Sequence, residues 1–415
     1  MTVRKERNWR WGFWGTKMSK VEIISGNEAA AMGAKLSRVQ VIAAYPITPQ
    51  SKIPETLVKY VESGELEAEF IRVESEHSAL TVCISASTVG ARVFTATAAN
   101  GLAYMHEQLH WAAGARLPIV MALANRGLGA PWTIFNDMQD SISQRDTGWM
   151  QVYCRDNQEV LDSILMGYKI CEQIHVPMMV CFDGFVLSHT VMPVEIPDQK
   201  QVDSFLPPYV PHLQVDGPEP ININPVMLAE PRDNARGVAC PSYMGFRMRL
   251  QETLESAGEV IAKVGGEFGE IFGRNYECLL WEYRTEEAET ILLTMGSLAN
   301  EASLAADMLR EKGYKAGVIG LRVFRPFPAE QLRQALAGAK QVVIFDKNIS
   351  YGNEGATCTE TKAALFEGGL HPYIANYIVG LGGKNVVASD LEAATLEALE
   401  NKGRVNGPQW LGVAV

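Results

Sequence analysis

Short continuous apolar runs alternate with stretches of helical periodicity along most of the chain. In the first half the apolar runs are Val39–Ala44, Arg92–Ala98, Leu117–Ala124 and Val176–Phe182. Continuous apolar runs are typical of strands buried on both faces. A helical pattern from Leu102 to Ala113 separates two of them. Strands that alternate with helices predict a mostly parallel sheet with helices on both sides.

A second block repeats this pattern, with predicted strands at Thr290–Met295, Ala316–Leu321 and Gln341–Asp346 and a helix at Leu298–Lys312. The stretch between the blocks, Pro193–Pro241, is dense in proline and poor in periodicity. We therefore predict an α/β protein of two domains. The predicted division is an N-terminal extension at 1–17, a first domain at 18–192, a proline-rich connector at 193–259 and a second domain at 260–415.

Composition narrows the class of protein. The chain has 415 residues, of which 47% are hydrophobic, and 37 basic against 48 acidic side chains give a formal charge of −11. An acidic balance without a basic block argues against nucleic acid or an anionic membrane as the main partner. The longest apolar runs are too short to span a bilayer. We expect a soluble protein.

The seven cysteines are scattered and none forms a Cys-x-x-Cys pair. This pattern fits neither a disulfide framework nor a zinc or iron–sulfur ligand set. Buried, reduced thiols in a cytoplasmic protein are the expectation. If the protein uses a redox metal, its ligands lie on another chain.

Residues 1–17 carry five basic residues and the tryptophans Trp9, Trp11 and Trp14. They contain no continuous apolar stretch, so they do not form a secretory signal. One interpretation is a disordered extension or a start assigned too early, since Met18 opens an ordinary sequence. The other is a cationic, aromatic arm that docks on a partner subunit.

The segment His106-Glu107-Gln108-Leu109-His110 matches the zinc-protease pattern on a predicted helix. Histidines four residues apart share a helix face and can bind zinc, with the glutamate as general base. A third ligand is missing, however, because Arg116 occupies the position where one zinc-protease class has a histidine. A zinc peptidase stays an alternative.

Polar residues cluster where predicted strands end. Arg126 follows a buried strand and could hold a carboxylate in a bidentate manner, although a surface arginine at a strand end explains it too. Thr48 lies between two prolines at another strand end, where open α/β sheets bind ligands. Glu76 belongs to a charged segment that an ordinary helix start explains equally well.

Several segments together resemble one family. They are Tyr45-Pro46-Ile47-Thr48-Pro49, Ser75-Glu76-His77-Ser78-Ala79, Phe94–Leu102, Arg116–Val120, Asn125-Arg126, Gln144–Trp149, Asp183-Gly184-Phe185 with His189-Thr190, Arg322 with Phe324–Pro328, and Gly380–Gly383. In this order they are similar to the α subunits of the multi-subunit 2-oxoacid:ferredoxin oxidoreductases. The resemblance runs from about Met18 to Lys384.

The resemblance implies a thiamine diphosphate enzyme that decarboxylates a 2-oxo acid, transfers the acyl group to coenzyme A and passes two electrons to iron–sulfur clusters. It implies a pyrimidine-type thiamine diphosphate domain followed by a transketolase C-terminal-like domain. Glu76 corresponds to the glutamate that bonds the aminopyrimidine ring. Tyr45 and Asn100 lie in motifs near the cofactor, and Thr48 and Arg126 correspond to residues near the substrate carboxylate.

The same resemblance implies partner subunits. No Gly-Asp-Gly motif with a downstream asparagine is present, since Asp183-Gly184 follows Phe182. The diphosphate and Mg²⁺ are therefore expected on a β subunit, and the [4Fe-4S] clusters on β- and δ-type subunits, beside a γ-type subunit and a ferredoxin or NAD-linked acceptor. No metal ligand is expected in this chain. A non-catalytic scaffold subunit stays a further alternative.

The predicted substrate pocket contains Thr48, Asn125 and Arg126 together with Asp137 and Met138. Pyruvate-type relatives tend to carry an Asp-His pair where this chain has Asp137-Met138. The aromatic side chains of Trp132 and Phe135 are close in sequence. The hypothesis is a pocket for an acid bulkier than pyruvate, such as phenylglyoxylate, with pyruvate as the commoner family substrate. A Met138 side chain outside the pocket would remove the reason for it.

Overall fold

The computed structural model describes residues 20–211, 232–233, 239–240, 242–276, 278–402 and 407–413. The extension predicted at residues 1–17 lies outside the described residues. No helix in the described part of the chain combines the length and apolar character that a bilayer-spanning helix needs.

In chain order the described strands are β1 (Lys20–Ser25), β2 (Val41–Ala43), β3 (Glu69–Ile71), β4 (Val93–Thr97), β5 (Val120–Asn125), β6 (Met150–Tyr153), β7 (Met178–Asp183), β8 (Val191–Ile196), β9 (Arg232–Asp233), β10 (Ala239–Cys240), β11 (Leu280–Tyr283), β12 (Thr290–Met295), β13 (Ala316–Leu321), β14 (Val323–Arg325), β15 (Gln341–Asp346), β16 (Tyr373–Ile378) and β17 (Gln409–Trp410). The described helices are α1 (Gly26–Leu36), α2 (Lys52–Glu62), α3 (Glu76–Thr88), α4 (Ala99–Tyr104), α5 (His106–Gly114), α6 (Gln139–Ile142), α7 (Asn157–Ile174), α8 (Gln199–Phe205), α9 (Tyr243–Phe272), α10 (Leu298–Glu311), α11 (Ala329–Leu336), α12 (Ala356–Glu367) and α13 (Ala388–Glu400), with a 3-10 turn at Leu381–Gly383.

Two sheets form the centre of the molecule. The first has the strand order β14-β6-β7-β5-β4-β2-β3 and the second the order β11-β13-β12-β15-β16-β17. In each sheet the pairs are parallel except at one edge, where β14 and β11 run antiparallel to their neighbours. The mixed, mostly parallel α/β architecture expected from the apolar runs is confirmed. The prediction that the continuous apolar runs form strands buried on both faces agrees with the structure. The strands buried along their whole length are β4, β5, β7, β12, β13 and β15.

The structure differs from the sequence analysis between the two blocks. Strand β8 and helix α8 lie in the predicted connector, where β8 pairs antiparallel with β1. Helix α9 runs through the predicted boundary at 259/260. The buried side chains of α9 pack in the hydrophobic core of the first sheet. Because these apolar contacts stabilise it, the chain forms a helix where the sequence predicted a connector. The division into domains stays a prediction.

Strand β14 also differs from the prediction. Its residues lie in the predicted second domain, yet β14 pairs with β6 and so completes the first sheet. Arg325 at its end donates to Arg145 O at 3.2 Å. Pairing between residues this far apart along the chain has no local sequence signal, because the partner strand can only be identified in three dimensions.

A buried ion pair joins the carboxyl ends of the two sheets. Asp183 ends β7, and Lys347 directly follows β15; their side chains are 0% and 8% exposed, with Lys347 Nζ 2.7 Å from Asp183 Oδ1. Ser297, at the start of α10, donates its backbone N–H to Asp183 Oδ2 at 2.9 Å. Burial by itself raises the pKa of Asp183, but the Lys347 charge and the Ser297 bonds outweigh it and hold this pKa below its usual value.

Lys347→Met is expected to lower the free energy of unfolding by about 3–5 kcal/mol, since it leaves the buried Asp183 charge without its partner. The measurement is urea unfolding followed by circular dichroism. Lys340→Met is the matched control, because Lys340 is 72% exposed in its pair with Glu289 and exposed pairs contribute little. Equal midpoints for the two variants would contradict a structural role for the Asp183–Lys347 pair.

Candidate active site

Glu76 is the first residue of helix α3. Ser75 caps this helix, its side-chain oxygen accepting a hydrogen bond from Ser78 N at 3.2 Å. A carboxylate in the first turn of a helix is stabilised by the helix dipole. Glu76 is only 8% exposed. The acid predicted to act on the cofactor is therefore held inside the protein and not on a solvated helix end.

Gly101 and Thr97 form a niche around the Glu76 carboxyl group. A Cβ atom on Gly101 would lie 2.6 Å from Glu76 Oε1 and 2.6 Å from Thr97 Oγ1, so only glycine lets these two side chains approach the backbone this closely. Thr97 is fully buried, and its hydroxyl has no hydrogen-bond partner among the residues that the structure describes. A buried polar atom without a partner is unfavourable. The niche therefore suits a polar group bound against Glu76.

Arg126 directly follows strand β5, and backbone oxygens hold its guanidinium. Nε donates to Thr133 O at 2.8 Å, and Nη1 donates to Thr48 O at 2.8 Å. The Trp132 ring covers it, with the ring centre 5.4 Å from Arg126 Cζ. Burial lowers the pKa of Arg126, but arginine stays a cation in proteins. The structure thus brings the predicted pair Thr48 and Arg126 into direct contact.

The turn that carries Tyr45 and Thr48 follows strand β2, and both side chains are exposed. Two buried amides fix the turn from inside. Asn27 Nδ2 donates to Pro49 O at 2.8 Å, and Gln50 Nε2 donates to Tyr45 O at 2.7 Å. The two supporting amides were missed by the sequence analysis, since an isolated Asn or Gln carries no pattern of its own.

Asn100 lies on the exposed side of the same region. Its Oδ1 accepts a hydrogen bond from Gly129 N at 3.2 Å, which ties the start of α4 to the loop after Arg126. Asn100 also precedes Gly101, the floor of the Glu76 niche. Contacts thus link Glu76 to Gly101, Asn100 to the loop after Arg126, and Arg126 to Thr48. We call the surface that these residues share the opening.

The Asn125 side chain is bound to helix α6, and its place in the substrate pocket stays a prediction. Its side chain is fully buried and donates from Nδ2 to Asp140 Oδ1 at 2.8 Å and to Ser141 Oγ at 2.8 Å. Because the side chains of a strand alternate between faces, the strand-end position alone did not indicate which way Asn125 points.

Met138, also predicted in the substrate pocket, is buried between the two sheets. It is 1% exposed, and a Cβ atom on Gly296, at the end of β12, would lie 2.7 Å from Met138 Cε. Its backbone N–H donates to Lys347 O at 2.8 Å. The side chain packs between the two sheets, so it gives no reason to expect a substrate pocket enlarged by a methionine.

Asp137 is also buried and serves a structural contact. Oδ1 accepts from Gln139 N at 3.0 Å, and Oδ2 accepts from Gly382 N at 3.2 Å. Burial raises the pKa of Asp137. The glycine turn of the second sheet thus holds the far end of the loop that begins at Gly127, and the Asp137 carboxylate is engaged there instead of lining a pocket.

Aromatic side chains surround the opening. Trp132 is 74% and Phe135 is 49% exposed, and the Phe135 and Phe185 rings lie 5.1 Å apart. A Cβ atom on Gly383 would lie 2.3 Å from Phe135 Cβ, so the glycine lets the second sheet approach this loop closely. The aromatic loop after β5 has the form expected of a binding wall.

The predicted zinc site finds no support. The His106 and His110 rings are 5.0 Å apart edge to face, while Glu107 lies 72% exposed beside His77. His106 Nδ1 contacts Gln144 Oε1. Within the described ranges no group of three His, Cys, Asp or Glu side chains could hold a metal ion.

One organising residue was missed by the sequence analysis. Asp140, the second residue of α6, is fully buried and accepts four hydrogen bonds, including Ala99 N at 2.9 Å and Arg126 N at 3.0 Å. The sequence places it in a crowd of polar residues between Asn136 and Thr147, where an exposed loop is the ordinary expectation. No local signal distinguishes it from its neighbours.

Two family models match the chain. The model described as "Pyruvate flavodoxin/ferredoxin oxidoreductase, thiamine diP-bdg" matches residues 32–263, and "Pyruvate:ferredoxin oxidoreductase core domain II" matches residues 288–391. The chain is 47% identical over 373 residues to the ketoisovalerate oxidoreductase subunit VorA of Pyrococcus horikoshii, covering 90% of this chain and 92% of that protein.

It is 48% identical over 400 residues to the pyruvate synthase subunit PorA of Pyrococcus furiosus, covering 94% of this chain and 98% of that protein. A solved structure, a 2-oxoglutarate:ferredoxin oxidoreductase from Magnetococcus marinus with 2-oxoglutarate, coenzyme A and succinyl-CoA bound, is similar in fold, with a TM-score of 0.70 at 17% identity. The match covers 91% of this chain and 65% of that one.

Gly101→Ala is expected to displace the Glu76 side chain, since the new methyl group would lie 2.6 Å from Oε1. The fold should survive, because alanine in a helix is favoured over glycine by roughly 0.5–1 kcal/mol. Faster labelling of Glu76 by a water-soluble carbodiimide, measured by peptide mass spectrometry, checks this.

Gly114→Ala provides the control, because its Cβ would come no closer than 3.8 Å to another group, Arg247 Nη1. Labelling of Glu76 should match the wild type in this variant. Equal labelling in both variants would show that the niche does not hold the carboxyl group.

Proposed function

Because the chain belongs to the family of the 2-oxoacid:ferredoxin oxidoreductase α subunits, we propose that its own site, formed by Glu76, Thr48 and Arg126, takes part directly in catalysis. The reaction is the thiamine diphosphate-dependent oxidative decarboxylation of a 2-oxo acid to an acyl-CoA and CO2. The observation that carries the proposal is the buried Glu76 carboxyl group beside the Thr97 hydroxyl, which has no hydrogen-bond partner in the described part of the chain.

The residues around this niche fit thiamine diphosphate. A buried carboxyl group beside a Thr97 hydroxyl that has no partner among the described residues suits a ring that carries polar hydrogen-bonding groups. When bound, thiamine diphosphate supplies a nucleophilic carbon and an electron sink for decarboxylation. The Glu76 carboxyl group, shielded from water, would hold or accept a proton at the aminopyrimidine ring of the bound group. Asn100 and Tyr45 would help to hold that group.

Arg126 and Thr48 orient the substrate carboxylate. The Arg126 guanidinium uses Nε and Nη1 for backbone oxygens, which fixes its plane and leaves Nη2 for a ligand. The exposed Thr48 hydroxyl lies on the residue whose carbonyl oxygen Arg126 binds. A fixed cation beside a hydroxyl holds the carboxylate in one orientation before CO2 leaves.

The opening is completed by partner subunits. Tyr45, Thr48, Asn100, Trp132 and Phe135 are exposed around it, which is more aromatic surface than a site shielded from water would leave uncovered. A β-type subunit covers the opening and holds the diphosphate and Mg²⁺. The [4Fe-4S] clusters lie on β- and δ-type subunits, beside a γ-type subunit, and ferredoxin or an NAD-linked subunit accepts the electrons in the cytoplasm.

The substrate is a short aliphatic 2-oxo acid. The relatives that are 47–48% identical carry names that refer to pyruvate and to ketoisovalerate. Met138, which had suggested a larger aromatic acid, packs between the sheets.

Glu76→Gln should reduce CoA-dependent turnover of the complex by roughly 10²–10⁴-fold, the usual range for loss of a positioned acid–base group. The assay is viologen reduction by the anaerobically purified complex, with subunit content checked by gel filtration. Glu74→Gln, two residues earlier on the exposed side, is the control and should retain turnover. Full activity of an assembled Glu76→Gln complex would favour the non-catalytic scaffold.

In the wild-type complex, pyruvate and 3-methyl-2-oxobutanoate are expected to give kcat/KM values well above those for 2-oxoglutarate and phenylglyoxylate. The expectation rests on the two relatives named for ketoisovalerate and pyruvate, to which the chain is 47% and 48% identical. Initial rates of viologen reduction at several concentrations of each acid measure this. A preference for phenylglyoxylate would contradict the aliphatic assignment and restore the larger pocket.

A further inference from the structure

The carboxylate of Asp140 joins two neighbouring strand ends. Oδ1 accepts from Asn125 Nδ2 at 2.8 Å and from Ser141 N at 2.8 Å, while Oδ2 accepts from Ala99 N at 2.9 Å and from Arg126 N at 3.0 Å. The residue is 0% exposed. Hydrogen bonds from N–H groups to a carboxylate are charge-assisted and stronger than neutral ones.

Each of the two backbone donors belongs to a residue that matters for the site. Ala99 has a left-handed backbone with φ 46°, an unusual conformation for a residue with a Cβ. Asn100 follows it directly, and Gly101 comes next. The bond from Ala99 N to Asp140 therefore stabilises the backbone conformation that exposes the Asn100 side chain and places Gly101 beside the Glu76 carboxyl group.

On the other strand end, Asp140 fixes the backbone of Arg126. The Arg126 side chain is held separately, through Thr48 O and Thr133 O. The main chain and the guanidinium of Arg126 are therefore each held by their own hydrogen bonds. If the bond from Arg126 N to Asp140 were lost, the backbone would shift and the guanidinium would tilt with it. Small misplacements of a positioning group can reduce rates strongly.

Asp140 is itself held rigidly. Tyr153 OH donates to Ser141 Oγ at 2.8 Å, and Gln151 Nε2 donates to Ser141 O at 2.7 Å. Both donors belong to strand β6, so their hydrogen bonds fix helix α6 to the first sheet. The Asp140 carboxylate thus ties the ends of β4 and β5 to a helix that is itself bound to strand β6.

We propose that Asp140 is a positioning residue for the decarboxylation. Its one buried carboxylate fixes the position of Asn100, on the cofactor side, relative to Arg126, on the substrate side. The proposal rests on the proposed function, since it concerns the same site. It adds that the spacing between the cofactor and the substrate carboxylate depends on a residue that touches neither of them.

The test is Asp140→Asn in the full complex. The side chain keeps its shape, but one carboxylate oxygen becomes an amide donor facing backbone N–H groups. The expected result is about a 10- to 100-fold lower kcat/KM for the 2-oxo acid, mainly through a higher KM, with an unchanged KM for coenzyme A. Amide hydrogen exchange at Ala99 and Arg126 should also become faster.

Asp346→Asn is the matched control. Asp346 is likewise 0% exposed and accepts four N–H bonds, among them Thr357 N at 3.1 Å and Asn376 Nδ2 at 2.9 Å, but it holds the start of α12 in the second sheet. It should lower the melting temperature without raising the KM for the 2-oxo acid. Equal rises of this KM in both variants would overturn the positioning role.

If Asp140→Asn does not assemble, Asn125→Ala provides a milder change, because it removes one of the four bonds and leaves both backbone donors. A several-fold rise of the 2-oxo acid KM is expected; unchanged values of this KM and of exchange at Ala99 would overturn the proposal. Absence of turnover with any 2-oxo acid in the wild-type complex would instead contradict the proposed function, whereas the exchange result stands independently of activity.

Discussion

The buried ion pair between Asp183 and Lys347 is the contact on which the arrangement of the two sheets depends. A carboxylate at the end of one central strand and an amine just after the end of another meet at 2.7 Å with almost no exposure. Such a pair tolerates little displacement, because separation would leave two charges buried without partners. Asn136 also donates to Asp183, at 2.6 Å, so the pair anchors the aromatic loop of the site as well.

This anchoring explains how a second sheet that contributes none of the proposed catalytic residues still shapes the site. Its glycine turn donates to Asp137 and to Asn136 O, and these residues end the loop whose Thr133 oxygen holds Arg126. The loop is therefore fixed at both ends, one on each sheet. Exposed aromatic side chains can then stand around the opening without the loop collapsing over it.

Buried carboxylates are the recurring connectors of the molecule. Asp140 joins two strand ends of the first sheet, Asp346 joins a strand end to a helix start in the second, and Asp183 joins the two sheets. Parallel strands end on one edge of a sheet, where unpaired backbone N–H groups accumulate and ligands bind. A carboxylate that accepts several of these groups is a compact way to hold such an edge, which leaves the outward-facing side chains free for chemistry.

The sequence by itself determined the α/β class, most strands of both sheets and the family, because continuous apolar runs and short motifs are local signals. It also led to the proposal of Glu76, Thr48 and Arg126 as site residues, because they lie in those motifs. Only the tertiary structure decided that Asn125 and Met138 point into the interior, that β14 completes the first sheet and that α9 continues through the predicted connector. It alone revealed the buried hydrogen bonds of Asp140 and Asn27 to the backbone near the proposed site residues. Burial and hydrogen bonding between residues distant along the chain make these distinctions, and no pattern of neighbouring residues records them.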